Sequence, residues 1–157
     1  MRQSLEPSRD PGDYPFAHRI RTRFAETDAM GIVHHAAYLP YLEEARVEYL
    51  RQLGHPYDEV RRHGFNFAVL EVVVQYRRPL QFDELVDVHL RPGAVSRATF
   101  QLGYLLTVGL DVRATAVTVH GCVDADGKAT RLPSWVGETF SVTPVGIRPG
   151  GEPQSAP

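Results

Sequence analysis

Cysteine is all but missing from this chain. Cys122 is the only one, which excludes an intramolecular disulfide and a CxxC metal site. Lysine is equally scarce, with Lys128 the sole example among 17 basic residues. No run approaches the roughly 20 consecutive apolar residues of a bilayer-spanning helix. The opening stretch MRQSLEPSRDPGDYPF has no apolar segment suited to a secretory signal. The expectation is a cytoplasmic protein without membrane insertion. An excess of one charge is also lacking. Seventeen Lys and Arg face 19 Asp and Glu for a net charge of −2, which gives no general drive toward nucleic acid.

What is present suits one packed domain: 157 residues, 43% hydrophobic and 23% charged, long enough to bury a core without staples. Proline, glycine and charge dominate residues 1–15, which are expected to form a disordered N-terminal arm. Residues 141–157 are expected to be a disordered tail, leaving 16–140 as the folded unit. Within it, Arg19, Arg21 and Arg23 alternate with Ile20, Thr22 and Phe24, the period of a half-buried strand. Leu39, Leu42, Ala45, Tyr49, Leu50 and Leu53 then recur at helical spacing. Pro40 belongs in a first turn and Gly54 is a natural stop, which predicts a helix over residues 36–53. PYDEVRRHG reads as a second short helix. Runs rich in β-branched and aromatic residues predict strands over 66–78, 85–91, 97–108 and 112–123. After the turn DADGK, a last short strand is expected over 129–132. A long helix wrapped by an antiparallel sheet is an α+β layer architecture.

The strand-to-helix junction, AETDAMGIVHHAAY, concentrates the reactive groups. Asp28 and Thr27 have an ordinary reading as cap or turn residues. They also have a chemical one. Gly31 lets backbone approach a ligand, and free N–H groups at the following helix start can hold an anion or oxyanion. A carboxylate beside such a site can carry out acyl transfer. His34 and His35 lack the three- or four-residue spacing of helical zinc ligands. As neighbours on regular backbone they should diverge, so no metal site is expected. Glu43 and Glu44 read as solvated or paired with Arg46 or Arg51, and Cys122 as an inert core thiol. Glu71, flanked by apolar residues, needs a partner or a cleft if its strand is buried on both faces. Arg77 and Arg78 before Pro79 read as a surface strand end, with phosphate binding the alternative.

The segment AETDAMGIVHHAAYLPYLEEAR resembles the signature of hot-dog-fold acyl-CoA thioesterases, the 4-hydroxybenzoyl-CoA and Tol–Pal-associated type. The matching positions are Glu26, Thr27, Asp28, Gly31, Ile32, Val33, His35, Tyr38, Glu43, Ala45 and Arg46. VVVQYRRPLQFDELVDV and VDADGKATRLP extend the likeness. The resemblance implies a hot-dog fold: a long central helix wrapped by a curved antiparallel sheet of about five strands. It implies homodimers joined sheet edge to sheet edge, often paired into homotetramers, with active sites at the dimer interface. On the same footing Asp28 is the catalytic nucleophile or general base, and the His35 backbone N–H polarises the thioester carbonyl. Gly31, Val33 and Tyr38 line the substrate, and Arg97 meets a CoA phosphate. No cofactor is implied. A carrier-protein thioesterase and a non-catalytic acyl-CoA-binding protein of the same fold are the alternatives. One departure is Ala37, which stands where many relatives have asparagine.

Overall fold

The computed structural model describes residues 6–141. Five strands, β1 (Phe16–Arg21), β2 (Asn66–Tyr76), β3 (Leu85–Val95), β4 (Thr99–Val108) and β5 (Asp111–Val123), form one antiparallel sheet in the order β1-β3-β4-β5-β2. The first two strands therefore lie on opposite edges. The chain between them must cross the sheet, and it does so as helices α1 (Tyr38–Gln52) and α2 (Tyr57–Arg62). The topology thus lays α1 across one face, packed on β3 and β1.

The sequence pattern explains that placement. Tyr38, Tyr41, Leu42, Ala45, Tyr49 and Leu50 are the buried residues of α1. Their spacing of three, four and seven gives one apolar stripe. Burying a side chain such as Leu42 stabilises by about 1.5–3 kcal/mol. Below it lie Val86, Val88 and Leu90 of β3, Phe100, Leu102 and Leu106 of β4, and Ala114 and Ala116 of β5. On β1 the predicted alternation holds: Phe16 and Ile20 are buried, while Arg19 and Arg21 stay outside and pair with Asp87 and Asp83 at 2.8 and 3.0 Å.

The ends of elements differ from the sequence reading. The helix starts two residues late, because residues 35–37 form a tighter 3-10 turn capped by His34, whose Nδ1 accepts the Ala36 N–H at 3.1 Å. It ends as expected, with Gly54 at φ +84°. The strand expected over 129–132 reduces to one bridge between Val123 and Ala129. Thr130 N and Leu132 N donate instead to the carbonyls of Cys122 and Arg97. Pro133 then leads into α3 (Ser134–Ser141), which sequence periodicity did not announce. Its buried residues are Val136 and Phe140, one turn apart, with Trp135 partly buried beside them. In the segment read as a loose arm, Asp10 caps a 3-10 turn at Pro11–Asp13 and Tyr14 is buried, donating to the Ser8 carbonyl at 2.6 Å. Local caps and one aromatic anchor order residues whose composition suggests freedom. The rest of both predicted tails, 1–5 and 142–157, lies outside the described residues.

Candidate functional site

Residues 22–34 form a tightly tied loop between β1 and the 3-10 turn. Thr22 Oγ1 donates to Gln81 O at 2.5 Å and accepts Glu84 N–H at 2.9 Å. Val33 N–H reaches Leu80 O at 2.8 Å, and His34 N–H reaches Glu26 O at 2.7 Å. The junction is thereby sewn to the loop that joins β2 to β3. That second loop is itself held by Arg113, whose guanidinium donates to both Glu84 carboxylate oxygens, at 2.8 and 3.1 Å, and to Pro79 O at 2.7 Å.

The two acids of the junction have different work. Glu26 accepts from the Arg23 amide at 2.7 Å and the Tyr41 hydroxyl at 2.9 Å. Burial alone would push its pKa up. The Arg23 amide, the Arg23 guanidinium and the Tyr41 hydroxyl outweigh that and hold it below the usual value. Glu26 is therefore a structural anion. Asp28 is half-exposed. Its Oδ1 accepts Met30 N–H at 2.9 Å, and its backbone closes a turn to Gly31 and Ile32. Its Oδ2 makes no hydrogen bond among the described residues. The ordinary cap reading and an available carboxylate oxygen thus coexist in one side chain. Gly31 adopts φ +76°, which costs most other residues about 1–2 kcal/mol.

Asp28 opens onto a cleft of about 260 Å³ whose walls include Val33, His35, Tyr38, Tyr76, Arg77 and Arg78. Four of the six residues singled out from sequence, Asp28, Val33, His35 and Tyr38, meet there. Gly31 forms the turn beside it. Arg97 does not. It sits in the β3–β4 turn, level with the Asn66 end of β2, whereas Tyr76 and the cleft lie at the other end. An 11-residue strand spans about 33 Å between those ends. Spacing in sequence carries no information about which end of a sheet a turn occupies.

The His35 N–H opens the 3-10 turn, where intrahelical partners do not exist, and it makes no hydrogen bond to another described residue. The His34 and His35 ring centroids lie 4.1 Å apart, with the planes tilted by 30°. They do not diverge as regular backbone would require, because His34 is a cap outside the turn and His35 its first residue. Among the described residues no group of three or more His, Cys, Asp or Glu side chains converges as a metal site. Tyr76 was not foreseen. Its hydroxyl donates to His35 O at 2.9 Å, and its ring meets Tyr38 edge-on at 4.9 Å. The only hint in sequence was an aromatic residue at the end of an apolar strand. Arg77 and Arg78 line both this cleft and an adjoining hollow of about 310 Å³ that Arg9 also lines.

Residues 22–140 match the sequence profile of the Thioesterase-like superfamily. An acyl-CoA thioesterase, YbgC, of Haemophilus influenzae is 30% identical over 113 residues, 71% of this chain and 83% of that protein. A crystal structure of a hypothetical protein from Aquifex aeolicus is 40% identical with a TM-score of 0.77, covering 80% of this chain and 99% of that one. The DHNA-CoA thioesterase of Staphylococcus aureus superposes with a TM-score of 0.74 at 27% identity, covering 80% and 85% of the two chains.

Proposed function

This chain belongs to the thioesterase-like superfamily and is a thioester hydrolase, and from that premise we propose that it cleaves an acyl-CoA to the free acid and CoA with Asp28 as the working carboxylate. The observation that carries the reading is the meeting, in one cleft, of Asp28 and His35, whose Oδ2 and backbone N–H make no hydrogen bond among the described residues. The thioester carbonyl lies between the two groups. Asp28 either attacks the carbonyl carbon, giving a mixed anhydride that water opens, or takes a proton from the water that attacks. In both routes the His35 N–H holds the developing oxyanion, and the CoA sulfur leaves with the electron pair of the broken C–S bond. A lost oxyanion donor of this kind costs about 10²–10³ in kcat.

Gly31 sets the turn that aims the carboxylate, while Val33 and Tyr38 form the acyl wall. For the CoA phosphates, Arg77 and Arg78 replace Arg97 within one chain. Among the described residues the Arg77 guanidinium is bonded to Gln75 Oε1 at 2.7 Å and, more loosely, to Thr115 Oγ1 at 3.4 Å, and Arg78 meets Asp111 at 3.6 Å. Among the described residues neither cation has a carboxylate in close contact, and both also line the adjoining hollow. Such groups suit the charged nucleotide end of CoA. The protein works as a dimer in which two β2 edges pair, because β2 is an edge strand that leaves Val69, Leu70 and Tyr76 exposed. An open apolar edge is otherwise a template for uncontrolled pairing. A position in the cytoplasm fits this chemistry, and no described helix is long and apolar enough to cross a membrane.

The deciding experiment is Asp28→Asn. The amide oxygen still accepts Met30 N–H, so folding and the melting temperature are expected to hold. Turnover is expected to fall by about 10²–10⁴ across acyl-CoAs. A folded variant with wild-type kcat removes Asp28 from the chemistry.

A further inference from the structure

Residues 6–14 precede the stretch that carries the family match, 22–140, and the mechanism above gives them no work. They are nevertheless a built element. Arg91 donates to the Glu6 carbonyl at 3.1 Å, and its guanidinium carbon stands 5.5 Å from the centre of the Tyr14 ring. The Tyr14 ring also meets His89 at 6.0 Å, and its hydroxyl reaches back to the Ser8 carbonyl at 2.6 Å. The Ser8 hydroxyl donates to an Asp13 carboxylate oxygen, and Asp10 accepts the Gly12 N–H at 2.8 Å. The segment is thus pinned to β3 near both of its ends and tied to itself between them. Arg9 sits between those ties.

Arg9 lines the hollow of about 310 Å³ beside the Asp28 cleft, together with Arg77, Arg78, Leu110, Asp111 and Val112. Three guanidinium groups therefore border one space. The carboxylate in that wall, Asp111, meets Arg78 at 3.6 Å. Among the described residues Arg9 has no hydrogen bond and no ion pair. Gathering like charges is unfavourable even where water and salt screen them, and an anion bound among them reverses the sign. Leu110, 99% exposed in the turn between β4 and β5, sets an apolar side chain beside the cations. Cations next to an apolar contact suit a phosphate that carries a flat base. Position agrees with this. The hollow shares Arg77 and Arg78 with the cleft. Tyr76 faces Ala114 in the ladder, and Asp111 stands three residues beyond it on β5, about 10 Å. The pantetheine arm of CoA is about as long as four extended residues, roughly 15 Å. A thioester held at Asp28 therefore has the reach to bring its nucleotide to Arg9.

We propose that Arg9 completes, with Arg77 and Arg78, a clamp on the 3′-phosphorylated ribose of CoA, so that the N-terminal segment makes this chain selective for ligands that carry that phosphate. The inference rests on the thioesterase reading and adds a specificity residue to it. The ribose phosphate is a monoester with close to two negative charges near neutral pH, and it lies at the end of CoA remote from the thioester. A pantetheine arm on a carrier protein ends in one phosphodiester and lacks it, so the same clamp disfavours carrier-borne substrates. A merely structural Arg9 would change affinity for every CoA fragment alike.

Calorimetric binding of CoA and of 3′-dephospho-CoA to the full-length protein isolates that phosphate. The wild type is expected to bind CoA about ten-fold more tightly, the scale of one hydrogen bond to a charged group. Arg9→Met is expected to bring the ratio down to about two-fold or less, and Arg9→Lys, which keeps the charge without the planar fork, to leave it between the two. Both variants should keep the wild-type melting temperature. Wild-type protein that binds the two ligands equally, or binds neither, overturns the inference, and so does an unchanged ratio in folded Arg9→Met. Hydrolysis of benzoyl-CoA and hexanoyl-CoA, followed by release of the thiol, is read separately. Turnover with a binding ratio near one leaves the hydrolase standing and removes the clamp. The expected ratio without turnover of either thioester leaves the clamp and removes the hydrolase.

Discussion

Asp28 divides one carboxylate between two tasks: Oδ1 closes the turn through Met30, and the other oxygen stays available to the cleft. The residue type was legible in sequence, because an acid before a glycine and a helix start reads as cap and as catalyst alike; the cap is seen in the structure, and the catalyst is the role proposed above. Gly31 is the companion case. Its φ of +76° demands glycine, and a Cβ built there meets nothing within 4 Å, so the cost of substitution is purely conformational. Gly31→Ala should lower stability by about 1–2 kcal/mol, read from the urea midpoint, and should lower kcat as the Asp28 turn loosens. His120 supplies a pH test. Its folded pKa is depressed from 6.5 to about 3 by burial and by Arg46, so the unfolded chain binds the proton more readily. Its contribution is complete above pH 6.5 and is lost as pH falls toward about 3. The melting temperature should decline over that window, and His120→Phe should flatten the decline. An unaltered profile in the variant would show that His120 is not the titrating group.

At the scale of elements, one salt bridge positions two loops. The Arg113–Glu84 fork is largely shielded, with side chains 12% and 21% exposed, and Arg113 also grips Pro79 O. The same loop presents Leu80 O to Val33 and carries Arg77 and Arg78 to the cleft. Arg113→Ala should cost about 2 kcal/mol, the size of a charged hydrogen bond lost from a shielded place. It should also raise KM for acyl-CoA more than it lowers kcat. A variant with reduced stability and unchanged KM would separate loop anchoring from substrate binding. Element boundaries were less legible than element types. The helix lost its first turn to a 3-10 cap because the His34 imidazole competes for a backbone N–H. Helix α3 escaped notice because an eight-residue segment with Trp135, Val136 and Phe140 interrupted by Gly137 is too short for periodicity to detect.

At the scale of the molecule, β2 is left as an edge strand with the apolar side chains Val69, Leu70 and Tyr76 exposed. A protein of 17.6 kDa with such an edge should sediment in solution as a dimer or a higher even oligomer. Leu70→Asp, which sets a charge on that edge, should shift the population to monomer and abolish turnover together. Monomeric wild-type protein with full activity would contradict the proposed dimer.

Composition and period, acting through chain neighbours, determined a great deal here: one domain, an amphipathic helix after an edge strand, an antiparallel set of strands, and a junction where Asp28, Gly31 and His35 come together. Those features are local, since caps, turns and apolar stripes are decided within a few residues. Tertiary structure alone decided that Arg97 belongs to the far end of the sheet and Arg77 and Arg78 to the cleft. It alone brought Tyr76 to the His35 carbonyl and buried His120 beside Arg46. Each of these depends on strand order and register, which join residues tens of positions apart, and no pattern in the intervening sequence encodes which strand becomes the neighbour.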